Sequence, residues 1–333
     1  MRRLLGSLFA GAASLRVAAY RHGLLARARL AGPVVSVGNL SVGGSGKTPV
    51  VQRVAEILRD AGEPVSILSR GYGGRFCGQA LVVSDGQKVL AGAAEAGDEP
   101  VMLARALPGV VVAVGRHRDA VGRAVEARFG RRVHLLDDGF QHLRLERDLD
   151  LVCLDVKDLE DRPLPAGRLR ERPSAIDRAD IVLLTRLEAA SEGELRALEE
   201  RLGPARTFRV SRRVSGWRSL GDASTVPPAR AFLLAAIARP ERFERDVVAS
   251  GATIVGRSFF RDHHRFDRDE LDDVSGRALA AGADAIVTTA KDAVRLETAG
   301  ALSLPVLVLH VGAEIRGEAR LRARLLAAAG RAA

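Results

Sequence analysis

Cysteine, lysine and aromatic residues are what this 333-residue chain has least of. Its two cysteines, Cys77 and Cys153, can build neither a disulfide framework nor a four-cysteine zinc site, a usage that fits a reducing compartment. Aromatic residues make up 4% and no stacking motif accompanies them, so nucleic acid is not an expected partner. No apolar stretch approaches the roughly 18 residues of a membrane span. With 47% hydrophobic and 28% charged residues, the composition also excludes a disordered chain.

Of 51 basic residues only Lys47, Lys88, Lys157 and Lys291 are lysine, and Asn39 is the sole asparagine. Arginine serves almost wherever a cation suffices. Positions that keep Lys or Asn are therefore candidates for chemistry that forbids the exchange. Charge is also unevenly placed. The first acidic residue is Glu56, and most of the net charge of +10 lies ahead of it. A basic amino terminus points to an anionic partner.

Leu4, Leu5, Leu8, Ala12, Leu15 and Ala19 recur at helical spacing, so residues 1–30 read as a unit built on an amphipathic helix. Arg16, Arg21 and His22 stand where a secretory cleavage site would belong. Two arrangements suit this helix: an interfacial membrane helix, or a first helix packed on the core with a solvated basic edge. From Val34 onward, short Val/Leu/Ile runs alternate with helical stretches. That pattern predicts an α/β fold with a mostly parallel sheet covered on both faces. Residues 31–225 read as the first α/β domain, with a hairpin excursion at 79–92 around Asp85-Gly86. The stretch from Pro204 to about Pro228 reads as an irregular boundary, and residues 226–333 as a smaller C-terminal α/β domain.

The strongest motif is Val34–Thr48. A hydrophobic strand runs into a Gly-rich loop, then Lys47-Thr48, then a helix, which is the context of a P-loop. Backbone N–H groups of Ser41, Val42, Gly43, Gly44, Ser45 and Gly46 would surround phosphates. Lys47 would reach the β- and γ-phosphates, and Thr48 would offer a hydroxyl to Mg²⁺. Ser41 stands where the pattern has its first glycine. Asp137-Asp138, ending an apolar strand, suit a metal-binding carboxylate pair. Gly97-Asp98-Glu99-Pro100 reads either as a helix start capped by Asp98 or as a site carboxylate. Asp262-His263-His264 and Thr288-Thr-Ala-Lys-Asp292 complete the set. The latter has the wrong register for reading guanine, which weighs against the alternative of a P-loop GTPase or metallochaperone switch.

Taken in order, Ser36–Pro49, Ser69–Gly74, Gly97–Pro100, Asp137–His142, Pro163–Glu171 and Asp262–His264 resemble the tetraacyldisaccharide 4′-kinase family of lipid A biosynthesis over nearly the whole chain. The resemblance implies an ATP- and Mg²⁺-dependent, P-loop-type kinase. Its acceptor would be the 4′-hydroxyl of an acylated glucosamine disaccharide 1-phosphate, on the cytoplasmic face of a Gram-negative inner membrane. It implies Lys47 and Thr48 at the phosphates, Asp137 and Asp138 at metal and nucleotide, and Asp98 as general base tuned by His263. Arg170, Glu171 and His142 would lie near the substrate. No obligate protein partner is implied. The sequence departs from the family pattern at Ala236-Ile-Ala-Arg-Pro240, where both family glycines are absent, and at Ala290, where the family has Glu.

Overall fold

The computed structural model describes residues 1–43, 46–220, 226–297, 300 and 302–330. In chain order its elements are α1 Arg2–Arg21, β1 Val34–Asn39, α2 Lys47–Asp60, β2 Val65–Ser69, β3 Leu81–Asp85, α3 Ala93–Ala96, α4 Asp98–Ala106, β4 Val111–Val114, α5 Arg118–Phe129, β5 Val133–Asp137, β6 Leu149–Asp155 and β7 Ile181–Thr185. There follow α6 Glu192–Leu202, β8 Thr207–Ser219, β9 Arg230–Ala235, α7 Pro240–Ala249, β10 Thr253–Phe259, α8 Arg268–Ala280, β11 Ala285–Thr289, α9 Ala290–Leu296, β12 Val306–Ile315 and α10 Glu318–Ala328.

The described strands form one sheet in the order β10-β9-β11-β12-β8-β7-β6-β1-β5-β2-β4-β3. β1, β2, β4, β5, β6 and β7 pair in parallel, and every one of their residues is buried. Continuous apolar runs are what parallel strands need when helices cover both faces. β3 pairs antiparallel with β4, so the hairpin read as an excursion is an edge strand of the same sheet. Its turn closes where Leu90 N–H donates to Val83 O at 2.7 Å.

The irregular boundary expected at 204–228 is largely the 13-residue strand β8. Its first residues pair in parallel with β7 and its later ones antiparallel with β12. One strand therefore belongs to both halves of the sheet. Nor does the last segment stay in the second half. Leu321 and Leu325 of α10 are fully buried in a core cluster with Val50 and Val54 of α2, and Arg53 Nε donates to Glu318 Oε2 at 2.7 Å. Other elements fall close to the apolar runs that announce them.

The amphipathic helix spans Arg2–Arg21, shorter than the 1–30 unit read from the pattern. Its buried residues are small, Gly6 and Ala10. A Cβ on Gly6 would lie 3.1 Å from Pro163 O, so glycine permits the helix to seat on the 163–166 segment. Its larger apolar side chains face solvent: Leu4 is 67% exposed, Leu8 62% and Leu15 73%. No helix among the described residues is long and apolar enough to cross a membrane.

Candidate active site

The C-terminal ends of β1, β2 and β5 open onto a cleft of about 870 Å³, which residues after β9 and β11 close from the other side. Ligands of open α/β sheets bind outside these strand ends. Lys47, Thr48, Asp137, Asp138 and Arg170 line it from the first half, and Asp262, His263 and Lys291 from the second.

Gly46 caps α2 with φ of 77°, a left-handed turn that glycine takes without strain, and so aims the helix N-terminus into the cleft. Lys47 Nζ donates to Asn39 Oδ1 at 3.0 Å and to Asp138 Oδ1. The lysine thus rests against oxygens in the place where phosphate oxygens would bind. Among the expected loop residues, Ser41 is buried and its Oγ donates to Asp158 Oδ2 at 2.9 Å, while Val42 N–H donates to Arg168 O. Both tie the loop to the 158–170 segment, which runs beside it through the Ser41–Leu169 bridge. Gly43 and Gly46 line the cleft, and Gly44 and Ser45 lie outside the described residues.

The carboxylates of Asp137 and Asp138 differ. Burial, with Glu99 nearby, pushes Asp137 up to about 6, against the pull of Lys47. Ser69 Oγ donates to its Oδ2 at 3.1 Å. Asp138, in the left-handed region at φ 54°, is also penalised by burial, but Lys47 and Arg170 outweigh this and hold it below the usual range. Arg170 donates to Asp138 Oδ2 at 2.8 Å. Thr48, Asp137 and Asp138 offer only hard oxygen donors, which suits Mg²⁺. No group of three or more His, Cys, Asp or Glu among the described residues is placed to cage a metal alone. A cation here would share its shell with phosphate oxygens.

Asp98 is the first residue of α4, and its carboxylate does not cap the helix; Gly97 is the N-cap. Gly97 has φ of 89°, and a Cβ there would lie 2.4 Å from Tyr72 O, so only glycine fits. Asp98 Oδ2 instead accepts from Arg295 Nε at 2.8 Å and meets His263 Nδ1 at 3.3 Å. His263, with φ of 63°, also places Nε2 3.2 Å from Lys291 Nζ. An ammonium has no acceptor, so Nε2 accepts and Nδ1 carries the proton that faces Asp98. His264 is engaged elsewhere, with Nε2 2.7 Å from Glu270 Oε2 and its ring stacked 4.8 Å from Phe260. Of the two histidines, His263 is the one that meets Asp98. Ala236, at a family glycine position, uses both backbone groups: its N–H donates to Asp292 Oδ2, and its C=O accepts from His263 N–H.

Two residues expected near substrate do not line the cleft. Glu171 is buried and held by both Arg178 terminal nitrogens at 2.8 and 2.9 Å, and Gln141 Nε2 donates to it at 3.1 Å. Arg178 in turn lies over the Phe140 ring. His142 is half-buried, and burial together with Arg118 pushes it down to about 4. Its folded value lies below the ordinary 6.5, so its contribution to stability is whole above pH 6.5 and is lost as pH falls toward 4. Urea midpoints of wild type and His142→Asn should then differ less at pH 4.5 than at pH 7.5; an unchanged difference would remove His142 as an acid-sensitive group.

The sequence reading missed Arg295 and Arg118. Arg295 follows Lys291 by four residues on one helix, a spacing that could have indicated it. Arg118, at the start of α5, is buried, and burial disfavours its charge against the attraction of Asp138 and Asp137. No local signal marked it.

Comparison with known proteins gives the family. The family model described as tetraacyldisaccharide-1-P 4′-kinase matches residues 2–330. A tetraacyldisaccharide 4′-kinase of Anaeromyxobacter sp. (strain Fw109-5) is 45% identical over 337 residues, covering 97% of this chain and 90% of its own. One from Desulfotalea psychrophila is 40% identical, covering 88% and 87%. The crystal structure of LpxK from Aquifex aeolicus in complex with ATP is similar at a TM-score of 0.79 and 31% identity, covering 98% of this chain and 97% of that one. A family match over almost every residue, with relatives at 40–45% identity along most of the chain, leads to one assignment: the chain belongs to the tetraacyldisaccharide-1-P 4′-kinase family.

Proposed function

We propose that the chain moves the γ-phosphoryl group of ATP, with Mg²⁺, to the 4′-hydroxyl of a tetraacyl glucosamine disaccharide 1-phosphate at the cytoplasmic face of the bacterial inner membrane. The observation that carries this is the shared cleft, which brings Lys47, Asp138 and Arg170 opposite His263 and Lys291. Phosphoryl transfer asks for positioning and charge neutralisation more than covalent help. Lys47 and the start of α2 would hold the phosphates. Thr48, Asp137 and Asp138 would hold Mg²⁺, which neutralises phosphate charge when bound. Asp98 would take the proton of the acceptor hydroxyl as its oxygen bonds to phosphorus and the bond to the departing ADP breaks. His263 would orient that carboxylate.

The test is transfer of labelled γ-phosphate from ATP to the 1-phosphorylated lipid in mixed micelles, with GTP in parallel. Mg²⁺-dependent product at the 4′ position is expected. Nucleotide hydrolysis with no lipid product would overturn the reading.

The membrane part of the proposal rests on α1. Its small residues face the protein and its leucines face outward, beside Arg2, Arg3, Arg16 and Arg21. An apolar face with basic flanks suits an anionic bilayer surface. Replacing Leu4, Leu8 and Leu15 together with serine should weaken sedimentation with anionic phospholipid vesicles about tenfold or more, with the melting temperature unchanged. Undiminished binding would remove α1 as the anchor.

A further inference from the structure

The acid–histidine pair is held by a third side chain. Arg295, 5% exposed, lies beneath it. Its Nε donates to Asp98 Oδ2 at 2.8 Å, and its Nη1 donates to His264 O at 2.9 Å. The same nitrogen lies 3.2 Å from Asp292 Oδ1. Asp292 is fully buried and itself fixed by Thr289 Oγ1 at 2.7 Å. One planar guanidinium thus joins the first turn of α4 to the loop that carries His263 and to α9.

We propose that Arg295 is a positioning residue of the phosphoryl transfer, which fixes the Asp98 carboxylate and the His263 loop in one frame beside the cleft. The inference rests on the reading of Asp98 as the base. Both bonds from Arg295 and His263 fall on Oδ2. Oδ1 is then the oxygen left for the acceptor hydroxyl. Of the two donors, Arg295 is buried and His263 lines the cleft, so the carboxylate is held between the core and the cleft wall. The guanidinium is suited to this by its rigid fork, which serves a carboxylate and a carbonyl at once; a lysine ammonium on a flexible stem cannot hold both in one geometry. The relation to α9 is also directional. Lys291, one turn earlier, braces His263 from its other ring nitrogen. The helix therefore supplies a cation to each member of the pair.

The experiment uses the full chain, with kcat and KM measured for lipid phosphorylation. Arg295→Ala should lower kcat about 100-fold, the scale of a small misplacement of a reacting group, and leave KM for ATP within about twofold. Arg295→Lys, which keeps the buried cation, should recover about tenfold of that loss. In an Asp98→Ala background, Arg295→Ala should cost nothing further, since a positioning residue has nothing left to position. A kcat for Arg295→Ala within threefold of wild type, or the same loss with Asp98 already removed, would overturn the proposal. If thermal melting shows Arg295→Ala to be unfolded, Arg295→Lys carries the test: kcat about tenfold below wild type supports the proposal, and wild-type kcat refutes it. An Asp98→Ala enzyme with wild-type transfer would instead remove the base assignment itself. An inactive Asp98→Ala beside fully active Arg295 variants would remove only the role of Arg295.

Discussion

Replacing Lys47 with methionine is expected to lower kcat roughly 10²–10³-fold, the cost of removing one donor aimed at charge that develops in the transition state. Methionine keeps the length and loses the ammonium. In the structure that ammonium lies between Asn39 Oδ1 and Asp138 Oδ1. Phosphate oxygens would take over the role of Asp138, so the charge already sits where it would be used and need not reorganise. KM for the lipid should change little, because the lysine faces the P-loop end of the cleft. Stability should also change little. Asp138 keeps its 2.8 Å bond from Arg170, and its side chain, 35% exposed, is open to hydration. Steady-state kinetics with a thermal melt on the same sample would check both. A variant within tenfold of wild-type kcat would exclude the lysine from the transfer.

The opposite coupling is expected at Asp137. Asp137→Asn should abolish Mg²⁺-dependent transfer and yet stabilise the metal-free protein at pH 8. Burial raises this carboxyl from 3.8 to about 6. The folded value exceeds the unfolded one, so its contribution to stability is whole below 3.8 and is lost as pH rises through 6. With the carboxylate ionised at pH 8, the penalty is on the order of 3 kcal/mol, from about 1.4 kcal/mol per pKa unit. Asparagine has the same shape and no charge, and can keep the bond from Ser69. Urea unfolding in chelator should therefore show the variant more stable at pH 8, with the gain gone below pH 4. A variant less stable than wild type at pH 8 would show that the buried charge is not a burden. A carboxylate retained at such a cost fits a group whose partner is a bound cation, since a functional site commonly exchanges stability for activity.

The parallel strands were legible because burial on both faces leaves little room for polar residues; β1, β2 and β7 fall within a residue of their apolar runs. β8 was not legible for the same physical reason in reverse. It is half exposed, and Arg209, Arg212, Arg213 and Arg218 break its apolar alternation. Those arginines made a strand resemble a boundary. At the end of the 226–333 unit, nothing local in Glu318–Ala328 says that its leucines pack against Val50 and Val54 of α2. At the site, Lys47, Asp138 and Arg170 were legible as motif residues that do meet. Glu171 is placed near the substrate by the family resemblance, whereas in the structure Arg178 and Gln141 hold it away from the cleft. Arg295 escaped because its partner Asp98 is 197 residues away. Only its four-residue spacing from Lys291 on α9 pointed to it.

The path of α10 bears on how the chain is made. Synthesis proceeds from the amino terminus, and domains generally fold as they emerge. Here the nucleotide-binding half emerges early but cannot close. Leu321 and Leu325 complete the core that Val50 and Val54 begin, and they leave the ribosome long after those valines. A nascent chain must therefore carry an open apolar face until α10 emerges. A chain broken between α9 and α10 would keep Lys47, Asp98, Asp138 and Arg170 and lack the leucines that finish their core, a natural target for chaperones and proteases.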